Sequence, residues 1–98
     1  MLPGGENPLP VYKKAYEQFP GDIVAVLNYA NALLEYGKDA DGALQVLEVV
    51  REDSRVLFPM AIAYDMKGDW RKAEKLLEEA AARGCNRAKA FKAVRVNE

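Results

Sequence analysis

Histidine and threonine are missing from this chain altogether, and serine and cysteine occur once each, as Ser54 and Cys85. Without imidazole there can be no His-based triad and no imidazole metal site, and one cysteine closes no internal disulfide and builds no zinc knuckle. A surplus of charge is also lacking: 14 Lys+Arg stand against 15 Asp+Glu, a net charge of −1. That balance gives no field for nucleic acid or an anionic membrane, so neither is expected as a partner. Long hydrophobic runs are absent too. The longest, Val56 to Tyr64, is interrupted by Pro59, whereas a membrane-spanning helix needs about 20 apolar residues. The opening MLPGGENPLP has neither a basic start nor an apolar stretch, so a secretory signal is not expected in it. The expectation is a soluble, cytoplasmic protein without membrane insertion, unless the sequence is a trimmed fragment of a longer exported protein.

What is present is helix-forming. Half of the 98 residues are hydrophobic and 30% are charged, the balance of one small globular domain. Residues 1–9, rich in Gly, Pro and Asn, read as a flexible lead-in. From Pro10 onward Ala, Leu, Glu and Lys dominate at helical spacing, and short breaks separate the helices. Phe19-Pro20-Gly21-Asp22 stops one helix and offers Asp22 as the N-cap of the next. Gly37 ends the second helix, Gly68-Asp69 ends one and caps another, and Gly84 ends the fifth. The pattern predicts six helices near 10–19, 22–36, 41–53, 55–67, 69–83 and 86–95. Their short connections make sequential neighbours antiparallel.

The chain repeats itself. At an offset of 31, Val26, Tyr29, Ala30 and Leu33 fall on Leu57, Met60, Ala61 and Tyr64; at an offset of 30, Ala43, Leu47 and Val50 fall on Ala73, Leu77 and Ala80. Pro8, Tyr12 and Ala15 share the second spacing, so the first helix reads as the second half of an incomplete unit. A period near 30 with two helices in it is the signature of stacked helical hairpins.

These residues resemble the tetratricopeptide repeat (TPR) family, whose units carry Trp-x2-Leu-Gly-x2-Tyr on one helix and Ala-x3-Phe on the next. NYANALLEYG, MKGDWRKAEKLLEEA and AYEQFP look like parts of that pattern, and LLEEAAARGCNRAKA is similar to its Sel1-like variant. The sequence departs from the family in lacking the leading Trp, in having Ala for Gly, in one extra residue at 38–42, and in a connection from Val50 to Leu57 shorter by four residues. The resemblance implies an all-α fold, a short right-handed superhelical array of antiparallel helical hairpins. A half unit (10–21), two units (22–53 and 54–84) and a terminal helix (85–98) would form a single domain over 10–98.

Several residues invite a chemical reading and receive a structural one. Ala30, Ala43, Ala61 and Ala73 fit close helix crossings. Asp39-x-Asp41-Gly42 with Glu48 partly matches a calcium loop, but Gly37 stands at the first ligand position; Asp39 or Asp41 reads instead as a helix cap. Cys85, near Arg83 and Arg87, reads as a small filler. Glu78 and Glu79 are adjacent and so point apart around their helix. Trp70 is expected to pack across the inter-helix turn. No catalysis, cofactor or metal follows from this set.

The packing pattern leaves Leu27, Asn28, Asn31, Leu34 and Glu35 on one helix and Phe58, Pro59, Ile62, Asp65 and Met66 on its counterpart. In an array the first helix of each hairpin lines a concave groove, and exposed apolar residues with a polar admixture mark an interaction surface. Leu27, Asn28, Asn31, Leu34, Phe58, Ile62, Asp65 and Met66 are therefore the candidate groove for a protein or peptide. Replacing Phe58 and Ile62 is expected to weaken binding with little effect on stability. The competing reading has the last helix covering these residues. Some TPR proteins clamp a terminal carboxylate with Lys and Asn; Asn31 matches one such Asn, but Leu27 and Pro59 occupy other clamp places, so that activity is not expected. The alternative function is a self-associating scaffold, a homodimer through exposed terminal helices around Tyr12 and Tyr16.

Overall fold

The computed structural model describes residues 7–96, with side chains as far as Phe91. Among the described residues there are six α-helices and no strand. They are α1 (Leu9–Gln18), α2 (Ile23–Glu35), α3 (Ala40–Glu48), α4 (Leu57–Met66), α5 (Trp70–Ala82) and α6 (Asn86–Val96), with a 3₁₀ turn, Ser54–Val56, leading into α4. Each helix packs on its neighbours in sequence, α4 and α5 most extensively, and α2 also touches α4.

The helix boundaries follow from side chains and glycines. The Asp22 carboxylate accepts the Val24 N–H at the start of α2, Asp39 accepts that of Gly42 in α3, and Asp69 accepts that of Lys72 in α5, satisfying donors that a helix start leaves open. At the other ends, Gly68 (φ 83°) and Gly84 (φ 95°) take the left-handed conformation. That lets the N–H groups of Asp69 and Cys85 turn back to the carbonyls of Tyr64 and Ala80, closing the last turns of α4 and α5. After α2 the left-handed residue is Lys38 (φ 51°) rather than Gly37.

Three segments differ from the sequence expectation. The lead-in stops short of Leu9, because Asn7 Oδ1 accepts the Leu9 N–H and Pro10 fits the first turn of α1; residues 1–6 lie outside the described residues. The third helix ends at Glu48 instead of 53. There Val50, Arg51 and Asp53 donate to carbonyls three residues back, and Asp53, in extended backbone, caps the 3₁₀ turn by accepting the Arg55 N–H. The third difference is Trp70, which is 53% exposed. As the first residue of α5 its side chain leans back toward the helix start, and the Arg71 guanidinium lies over the ring, 5.7 Å from its centre.

Burial agrees at most of the internal offsets. Val26 and Leu57, Ala30 and Ala61, Ala43 and Ala73, and Leu47 and Leu77 are all buried and Tyr29 and Met60 are both half-buried, whereas half-buried Tyr64 and Val50 correspond to buried Leu33 and Ala80. One core gathers Val26, Ala30, Leu33, Leu34, Ala43, Leu47, Val56 and Ala63 between α2, α3 and α4; a second gathers Leu57, Ala61, Leu77, Ala80 and Ala88 between α4, α5 and α6. Helix α1 contributes no buried residue; Tyr16 is half-buried and stacks at 5.1 Å on Tyr29. Tyr12 and Tyr16 are thus half-covered rather than exposed, while Val11 on the same helix and Phe19 just after it are each 60% exposed.

Candidate functional site

An open groove runs between α2, α4 and α6. Its first part, about 370 Å³, is lined by Leu27 and Asn31 of α2, Ser54 and Arg55 of the 3₁₀ turn, Phe58 and Pro59 of α4, Ala80, Arg83, Gly84 and Cys85 at the end of α5, and Arg87 of α6. Its second part, about 430 Å³, is lined by Asn31, Leu34, Glu35, Lys38, Phe58, Ile62, Met66 and Arg87. Asn31, Phe58 and Arg87 belong to both parts and stand between them.

Local structure explains the placement. Phe58 and Ile62 are four apart on α4, as Leu27 and Asn31 are on α2, so each pair shares a face. Pro59 falls in the first turn of α4, where its missing N–H costs no helical bond. Arg87 comes from the first turn of α6, and its guanidinium lies 4.6 Å over the Phe58 ring; Phe91 meets that ring edge-on, 6.1 Å between centroids.

The groove thus brings together six of the eight residues singled out in the sequence: Leu27, Asn31, Leu34, Phe58, Ile62 and Met66. Asn28 and Asp65 line neither part; Asn28 is exposed and Asp65 is half-buried beside the turn at Gly68. Leu34, expected to be exposed, is only 6% exposed because it packs in the α2–α3–α4 core, and Pro59 is buried as well. Phe58 is half-buried because α6 partly covers it, and Ile62 also leans on the core. Met66, at 41% exposed, is the most open of the apolar set. Sequence reasoning did not place Arg55, Arg83, Cys85 and Arg87 at the groove. They arrive from the 3₁₀ turn, the end of α5 and the start of α6, and only the helix packing reveals their proximity.

Two ionic contacts have well-defined electrostatics. Hydrogen bonds from Arg55, through its side chain and its N–H, hold the Asp53 carboxyl down at about 2, and the same contact raises the Arg55 guanidinium. Lys67 at the end of α4 is raised by its hydrogen bond to Asp41 in the first turn of α3. Asp39 and Asp41 are thereby committed to a cap and an ion pair. Among the described residues no three His, Cys, Asp or Glu side chains cluster as a metal site, and no helix is long and apolar enough to cross a membrane.

The fold and groove define an all-α protein of consecutively packed helices with an open, partly apolar cleft on one side. Comparison with protein-family models, with curated proteins and with solved structures returns no match.

Proposed function

We propose that this chain is a non-catalytic protein-binding module of TPR-like stacked hairpins that takes a peptide or partner segment in the groove between α2 and α4. The observation that carries this reading is the two-part groove itself, in which half-buried apolar side chains from two helices stand beside polar and cationic ones. Such a mixture supplies anchors and specificity together. Equivalent burial at offsets of 30 and 31, as at Ala43 and Ala73 or Ala30 and Ala61, supports two stacked units of the same kind.

The test is a pull-down from the native cell extract, with the Phe58→Ser, Ile62→Asn double variant as control and circular dichroism to establish that the variant is folded. Proteins retained by the wild type and lost from the folded variant support the reading. An identical retained set overturns it.

A second reading has a specific observation behind it: α1 has no fully buried residue, and Val11 within it and Phe19 just after it are each 60% exposed. A second copy stacking on that helix would make the chain a self-associating scaffold. Light scattering after size exclusion separates the two, since a concentration-dependent dimer broken by Phe19→Glu belongs to the scaffold reading alone.

A further inference from the structure

We propose that the groove accepts an internal acidic stretch of a partner polypeptide that runs on into a large apolar side chain. Its carboxylates would lie against Arg55, Arg83 and Arg87, and its apolar part against Ile62 and Met66. This rests on the peptide-groove reading above and gives it a ligand chemistry and a direction.

Charge is the first argument. The whole chain is balanced at −1, yet the first part of the groove is lined by three arginines and by no Asp or Glu. The cations come from three separate places, the 3₁₀ turn, the end of α5 and the start of α6. Three guanidiniums carry more N–H donors than one terminal carboxylate, with its roughly four lone-pair sites, can accept, so consecutive acidic side chains suit them better.

Donor capacity is the second argument. Arg55 pairs with Asp53 at 2.7 Å and Arg83 with Glu79 at 3.6 Å, both carboxylates lying outside the groove lining. A guanidinium has five N–H donors, so one carboxylate leaves donors for another. Arg87 is held over Phe58, which fixes its position without a carboxylate.

Direction comes from the contrast between the two parts. Beyond Phe58 and Arg87, the second part offers Ile62 and Met66, and its lining also holds the opposite charges of Glu35 and Lys38. Acidic residues therefore belong at one end of the ligand and apolar ones at the other. A nucleic acid strand has the anions but no apolar side chain for this second part, and the balanced overall charge does not draw a polyanion.

The experiment is display of random peptides inserted within a coat-protein loop, so that none carries a free terminus, selected on the wild-type chain. Cys85, the only cysteine, lines the first part of the groove and reports occupancy through its rate of labelling by N-ethylmaleimide. The expected result is enrichment of Asp or Glu followed by a large apolar residue. A synthetic peptide of that sequence should slow labelling of Cys85. Its affinity should fall about tenfold or more in Arg83→Gln with Arg87→Gln, the loss of charge-assisted hydrogen bonds, and should fall similarly when its acids become amides.

Neutral or basic peptides that still protect Cys85 would overturn the acidic ligand and leave the groove reading standing. Peptides that ignore the arginines and leave Cys85 labelling unchanged, or no enrichment at all, would overturn both. A dimer dissociated by the same arginine changes would make a second copy the occupant, and an oligonucleotide displacing the peptide at equal concentration would make it nucleic acid. Either result overturns the proposal.

Discussion

Arg87 and Phe58 tie the terminal helix, packed mainly on α5, to α4 as well: the guanidinium carbon sits 4.6 Å from the ring centre, and Phe91, one turn along α6, closes on the ring edge. Phe58 therefore has two duties, as groove wall and as dock for α6. The sequence-based expectation that its replacement would spare stability is corrected accordingly. Phe58→Ala should cost about 2 kcal/mol, below the ~3–5 of a fully buried Phe because the ring is only half-covered. Denaturant melts measure the loss, and faster tryptic cleavage after Arg87 and Lys89 should accompany it as α6 loosens.

Ala61 tests the α4–α5 crossing. It is 1% exposed among Leu57, Leu77, Ala80 and Ala88, so there is no room for three more carbons. Ala61→Leu should destabilise by about 1–3 kcal/mol through overpacking. An unchanged denaturation midpoint would show that α4 can rotate or shift to absorb the larger side chain.

A methyl group on Gly42 should damage a cap without touching the core. A Cβ there would come within 2.3 Å of Asp39 Oδ2, so the Asp39 side chain would have to swing away from the Gly42 N–H it now holds at 2.9 Å. Gly42→Ala should therefore lose the cap, about 0.5–2 kcal/mol, partly offset by the better helix propensity of Ala. In the background Asp39→Ala the same glycine change should be neutral or stabilising, and a thermal double-mutant cycle gives the coupling.

Asp53 makes the chain acid-sensitive in a defined window. Its carboxyl is lowered from 3.8 to about 2, first of all by the hydrogen bonds from the Arg55 side chain. A depressed folded-state value means the contribution is complete above the unfolded value and fades as pH falls from about 4 to about 2. Asp53→Asn should flatten the dependence of melting temperature on pH in that interval and leave its shape above pH 5 unchanged. The side chain of Arg55 is 58% exposed, so the effect should be small and should shrink further in high salt.

How much of this was legible in the sequence depends on the range of the interaction. Asp22 and Asp69 could be read as caps, and Asp39 as one of two candidates with Asp41, because a cap is decided within three residues. The buried alanines were legible because two copies of one spacing point to the same faces. The end of α3 was not, since the apolar pattern continues through Val49 and Val50 while the backbone turns to meet Asp53. Leu34 was misjudged because its position faces both the groove and the core formed with α3 and α4. The arginines of the groove lie far from Leu27 and Asn31 along the chain, and no local pattern announces that they meet.

Helix α1 carries a consequence for what a stability measurement means on this chain. Its attachment consists of half-buried contacts, chiefly Leu9 and Tyr16 on the α2 side, and none of its residues is sealed from water. A segment so held opens at a lower free energy than the body it rests on. Its amides should exchange with deuterium through openings that leave α2 to α5 intact, and stay insensitive to dilute denaturant while the protection of Leu47 and Leu77 falls. The global unfolding transition would then report the two cores, with α1 already part-way into solvent before it begins.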